Sequence, residues 1–108
     1  MADDIRVFAS YAVQINSGTA SDYRALVRLF DGKSKLISTL HCMKEGVAPG
    51  SARINPNGNV IELFYPAESL AALLDVMRNE KPLRVTFNPS NNTGTLASGL
   101  EPVGEAGA

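Results

Sequence analysis

Residues 22–43, DYRALVRLFDGKSKLISTLHCM, decide the fold. Two strand-like runs, 22–30 and 33–43, flank the dipeptide Asp31-Gly32. Asp-Gly is a strong hairpin signal, because a two-residue type I′ turn needs positive φ at both positions. With those two residues as the loop, Phe30 is expected opposite Lys33, Arg28 opposite Lys35, Leu26 opposite Ile37 and Arg24 opposite Thr39. Like charges facing each other across a strand pair are unfavourable. The Arg28–Lys35 pair therefore calls for a negative group nearby, whether Glu62, a partner or a ligand.

Upstream, residues 5–16, IRVFASYAVQIN, alternate with the period of a strand. The small polar stretch 17–21 reads as a turn, and pairing Asn16 with Asp22 sets Phe8 beside Phe30 and Ser10 beside Arg28. Both turns sort side chains the same way. One face holds Ile5, Val7, Ala9, Tyr11, Val13, Ile15, Tyr23, Ala25, Val27, Leu29, Leu36, Leu40 and Cys42, and is the expected core. The other holds Arg6, Phe8, Ser10, Gln14, Arg24, Leu26, Arg28, Phe30, Lys33, Lys35, Ile37, Thr39 and His41, with five Lys or Arg residues and no acid.

Downstream, residues 44–58 carry three glycines and two prolines and read as a long loop. A fourth strand follows at 59–65, NVIELFY. Residues 66–80 predict the one helix. Pro66 suits its first position, and Leu70, Leu73, Leu74 and Met77 form one apolar stripe. Strands at 83–88 and 94–98 flank the loop 89–93, whose Asn91-Asn92-Thr93 matches a glycosylation acceptor but reads as a hairpin turn. The expected fold is α+β. A twisted antiparallel sheet, a meander of four strands, has the helix packed on one face and is extended by a C-terminal hairpin. Residues 1–98 form the expected domain, and 99–108 an acidic, glycine-rich, fraying tail.

Composition narrows the function classes. A chain of 108 residues with 44% hydrophobic and 19% charged residues is that of an ordinary globular domain. No run approaches the ~20 apolar residues of a membrane span, and Met-Ala-Asp-Asp does not open like a signal peptide. The single cysteine, Cys42, suits a reducing cytoplasm. The net charge of −1 hides an asymmetry: Asp3, Asp4, Glu101 and Glu105 lie at the ends, leaving seven of the 11 acids against all 10 basic residues.

Catalytic chemistry finds no foothold. His41 and Cys42 are adjacent and point to opposite faces of a strand, so they cannot pair, and ligands for a metal are too few. Cys42 reads as core, and His41 as a half-exposed strand residue. Glu62, Glu68 and Asp75 have local explanations as strand neighbour, helix-start residue and solvated helix position. No nucleophile-elbow, P-loop or dinucleotide glycine pattern occurs. No enzyme activity, cofactor or metal is expected.

The basic face is the functional candidate, with Arg6, Phe8, Arg24, Arg28, Phe30, Lys33 and Lys35 as its binding residues. Arg and Lys neutralise phosphates, and aromatic rings on a sheet stack unpaired bases. The order of four meandering strands and a helix over residues 5–80 resembles that of PUR-type and Whirly-type single-strand nucleic-acid binders. This resemblance is one of topology and implies single-stranded nucleic acid, or another polyanion, as partner. The rival expectation is a homodimer or protein-interaction module, built on exposed strand edges and an apolar cluster of Phe8, Leu26, Phe30 and Ile37.

Overall fold

The computed structural model describes residues 3–18, 20–80 and 83–98. The strands are β1 (Asp4–Phe8), β2 (Ser10–Ile15), β3 (Tyr23–Phe30), β4 (Leu36–Met43), β5 (Arg53–Asn55), β6 (Val60–Tyr65), β7 (Leu83–Asn88) and β8 (Thr93–Ser98). A 3-10 turn at Ala67–Ser69 leads into α1 (Leu70–Asn79). The fold is α+β with mostly antiparallel sheets. No helix among the described residues is long and apolar enough to cross a membrane. The tail expected at 99–108 lies outside the described residues.

The expected first strand is two strands. Ala9 separates β1 from β2, and its N–H bonds to the carbonyl of Phe30 at 2.8 Å. β2 is an edge of a five-stranded sheet of order β2-β3-β4-β6-β5, while β1 joins β7 and β8 in a second sheet of order β1-β7-β8. The C-terminal hairpin thus builds its own sheet rather than extending the first. The meander also ends after β4: the chain runs past β6 to the edge as β5, inside the stretch 44–58 read as loop, and returns as β6 parallel to β4.

The break at Ala9 inverts the faces of β1. Arg6 stands opposite Val85 and Phe8 opposite Leu83, and both of those partners are core residues. Phe8 is 6% exposed, whereas Ile5 and Val7, expected inside, are 60% and 63% exposed. Farther along, Val13 and Ile15 share a face with Val27 and Ala25 but lie at the sheet's edge and are also exposed.

The Asp31-Gly32 turn is longer than two residues. Gly32 does not have the positive φ that a type I′ turn demands; Ser34 does, at 63°. The carbonyl of Asp31 accepts from Ser34, and its Oδ1 accepts from the N–H groups of Lys33 and Lys35 at 2.8 and 2.9 Å. This knot occupies residues 31–35, so Phe30 faces Leu36 and Arg28 faces Thr39 rather than Lys35. Leu26 faces His41, four places beyond the expected Ile37. An even slip preserves which residues share a face. Ala25, Val27, Leu29, Leu40 and Cys42 are accordingly all fully buried, as their pattern predicts.

The core joins these residues to Ile61, Leu63, Val85 and Phe87, and α1 contributes Leu73 and Met77 from its apolar stripe, with Leu70 and Leu74 partly buried. β8 comes close to β6 at Gly94, where a Cβ would lie 2.6 Å from Leu63 Cγ. Only glycine fits there.

Candidate functional site: the outer face of the five-stranded sheet

The cross-strand registers build two rows of side chains on the face opposite the core. One row runs Ala12, Arg28, Thr39, Glu62, Arg53, and the next Gln14, Leu26, His41, Phe64. The irregularity between Tyr23 and Ala25 brings Tyr23 into this second row. Its ring sits 4.7 Å from that of His41, tilted by 55°. His41 in turn stacks on Phe64, at 4.7 Å and 17°. The Arg53 guanidinium lies 5.5 Å from the centre of the Phe64 ring, within cation–π range.

Glu62 anchors the first row. Its carboxylate accepts from Arg53 Nε at 2.5 Å and from Asn55 at 3.4 Å. Burial alone would raise the Glu62 carboxyl, but these hydrogen bonds and the charge of Arg53 outweigh it and hold it below the ordinary value. The carboxylate expected to neutralise Lys35 is therefore engaged by Arg53. Among the described residues Arg28 has no acidic partner, and it donates to Gln14 Oε1 at 3.1 Å.

His41 is 8% exposed, not half-exposed, because Tyr23 and Phe64 cover its ring. Burial pushes its pKa down; Glu62 opposes this, and the charges of Arg53 and Arg28 add to it. It is neutral near pH 7. Its Nε2 lies 2.9 Å from Thr39 Oγ1, and its Nδ1 is buried without a partner. A hydroxyl beside an imidazole suggests nucleophilic chemistry, yet no carboxylate orients the ring through Nδ1 and Thr39 is itself only 8% exposed. The pair reads as structural.

The seven residues singled out from sequence have separate placements. Arg6 uses all five guanidinium N–H groups: Nε and Nη2 on Asp4, Nη1 on the carbonyls of Ile37 and Asn59, and Nη2 again on Asn59 Oδ1. Its side chain is 14% exposed and cannot serve a ligand without leaving those partners. Phe8 is core. Arg24 pairs with Glu45, and the Glu45 carboxyl is held below its usual range by that hydrogen bond. Phe30 is half-buried opposite Ser10. Lys33 and Lys35 are exposed on the 31–35 turn, away from the two rows. Ile37 and Thr39, placed on the expected solvent face, are buried.

Arg28 and Arg24 thus remain at or beside the face, while Tyr23, Arg53 and Phe64 were missed. The alternation in VIELFY could have put Glu62 and Phe64 together, opposite Ile61 and Leu63. Their neighbourhood with His41 depends on the parallel β4–β6 pairing, and Tyr23 depends on a bulge; neither leaves a mark in the local pattern. Among the described residues, no group of three or more His, Cys, Asp or Glu could hold a metal ion. Comparison with family models, curated proteins and solved structures gives no match to this chain.

Proposed function

We propose that the chain is a non-enzymatic binding module whose outer sheet face takes single-stranded nucleic acid. The observation that carries this reading is Arg28: a guanidinium with no carboxylate partner among the described residues, in the row beside the Tyr23–His41–Phe64 stack. A guanidinium can hold a phosphate oxygen while a neighbouring ring carries a base, and neither contact requires a particular sequence. Arg53, 64% exposed at the sheet's edge, is paired with Glu62 and, like the other engaged cations, adds to the attraction along the same face rather than a free contact. The remaining basic residues support the approach of a polyanion more than its grip, since Arg6 and Arg24 are engaged by Asp4 and Glu45. The unpaired, buried thiol of Cys42 accords with a reducing, cytoplasmic setting.

Fluorescence anisotropy with labelled single-stranded DNA and RNA of about 20 nucleotides tests the reading; affinity should fall steeply between about 50 and 200 mM salt. Phe64→Ala should weaken binding by about 1–3 kcal/mol, and Arg28→Glu should weaken it further with little change in thermal midpoint. Absence of binding at low salt, or an undiminished affinity of Arg28→Glu, refutes the proposal.

A further inference from the structure

The large apolar side chains exposed among the described residues, Ile5, Val7, Val13 and Ile15, all lie on β1 and β2. Those on β2 have a particular relation to its main chain. The N–H of Asn16 bonds to the carbonyl of Arg24, which makes residues 16 and 24 a hydrogen-bonded pair. In an antiparallel ladder such pairs alternate. The even-numbered residues of β2 therefore bond to β3, and Tyr11, Val13 and Ile15 direct their N–H and C=O groups to the open edge. The residues with free main-chain groups are the same ones that carry the apolar side chains.

The other sheet borders are protected. β5 is three residues long, carries Arg53 and is followed by Pro56. β8 is engaged near β6: the Asn92 carbonyl beside it accepts from Ala52, and Gly94 lies close against the Leu63 side chain. β1 carries Asp4 and Arg6. Short length, proline and charge are the usual means of keeping an edge from pairing. β2, SYAVQI, has none of them.

We propose that β2 pairs antiparallel with β2 of a second copy of this chain, about a twofold axis through Val13. In this register Val13 meets Val13, Tyr11 meets Ile15 on each side, and Ala12 meets Gln14. No like charges oppose each other, and every residue that offers a main-chain donor and acceptor meets another that does. The apolar row Tyr11, Val13, Ile15 shares its face with the core residues Leu29, Val27 and Ala25, so the pairing continues the core layer across the axis. A second copy is favoured over an unrelated strand because an isologous pairing needs one self-complementary segment, and this one is uncharged and apolar at alternate positions.

Sedimentation velocity of the full chain, from about 1 to about 200 µM, should show a monomer–dimer equilibrium governed by mass action. Val13→Pro removes an N–H that points outward, so the β3 ladder survives, and the variant should be monomeric throughout with unchanged circular dichroism. Should that variant misfold, Ile15→Lys, which places a charge on the edge, decides in its place. Val13→Cys should form a disulfide-linked dimer on mild oxidation, whereas buried Cys42 leaves the parent chain uncrosslinked. A monomer at every concentration overturns the proposal, and so does a dimer that persists in both variants. Neither result decides whether the outer face of a single chain binds nucleic acid, which the short-oligonucleotide titration reads by itself.

Discussion

Arg6, Gly94 and His41 each do something their residue type does not announce. Arg6 ties β1 to the start of β4 and to the turn between β5 and β6, through the carbonyls of Ile37 and Asn59. Removing the guanidinium leaves the part-buried Ile37 carbonyl and Asp4 carboxylate without their partner, while the exposed Asn59 acceptors can turn to water. Arg6→Met should therefore lower the unfolding free energy by about 2–3 kcal/mol in urea titration. Gly94 is needed for close approach to Leu63, and Gly94→Ala should cost about 1–3 kcal/mol through overpacking, read the same way.

His41 makes stability depend on pH in a window of its own. Its folded pKa lies below the ordinary value of 6.5, so between the two the unfolded chain binds more protons. Its contribution is whole above about pH 6.5 and is lost as pH falls toward the folded value. The carboxyls of Asp4, Asp31, Glu45 and Glu62 are all held low, and their losses come only below their ordinary values of 3.8 to 4.5. Urea midpoints measured from pH 7 down to 5 should decline in the parent chain and much less in His41→Gln.

Among the elements, the turn at 31–35 shows how far local pattern carries. Ser34 sits at φ 63°, a conformation that costs a side-chain-bearing residue about 1–2 kcal/mol. Ser34→Gly should raise stability by about 0.5–1 kcal/mol once glycine's greater unfolded freedom is set against that relief. Asp31→Ala should do the reverse, because the Oδ1 that accepts from Lys33 and Lys35 disappears; the thermal midpoint reports both. The same turn explains what was legible beforehand. A side chain reaching back to bond two N–H groups leaves no signature distinct from an ordinary Asp-Gly hairpin, so the register slipped by four places. The β2–β3 pairing slipped by two, with Ser10 rather than Phe8 facing Phe30. Both slips are even, so the division of β3 and β4 into a core face and an outer face held between the two irregularities and failed at their ends, where Tyr23 turns outward to His41 and Ile37 joins the core. β1 failed because Ala9 breaks an unbroken alternation at a residue with nothing unusual about it, and the alternation itself concealed the break. The helix stripe was legible because its spacing is local. The parallel return of β6 was not, because a nine-residue connection followed by a three-residue edge strand looks like one long loop.

For the whole molecule, the binding face and the dimer edge meet at β2. Gln14, which receives the Arg28 hydrogen bond, is also the residue that would face Ala12 across the twofold axis. The outer faces of two copies would then lie side by side in one continuous sheet, presenting two copies of Arg28 to one strand of nucleic acid. Abolishing the dimer with Val13→Pro should weaken binding to a long oligonucleotide by about tenfold or more through lost bivalency, while a short one is held equally well. Anisotropy titrations with both lengths make that comparison.

The division of one N-terminal segment between two sheets has a consequence for the order of folding. β2, β3 and β4 are neighbours in sequence, so their pairings close short loops. β1 must wait for β7, since its ladder joins Asp4 to Phe87 and nearly the whole chain lies between them. The segment before Ala9 should thus dock last and release first, making the three-stranded sheet the weaker cooperative unit. In native-state hydrogen exchange, the amides of β1 and β7 should open at a lower free energy than those of β3 and β4.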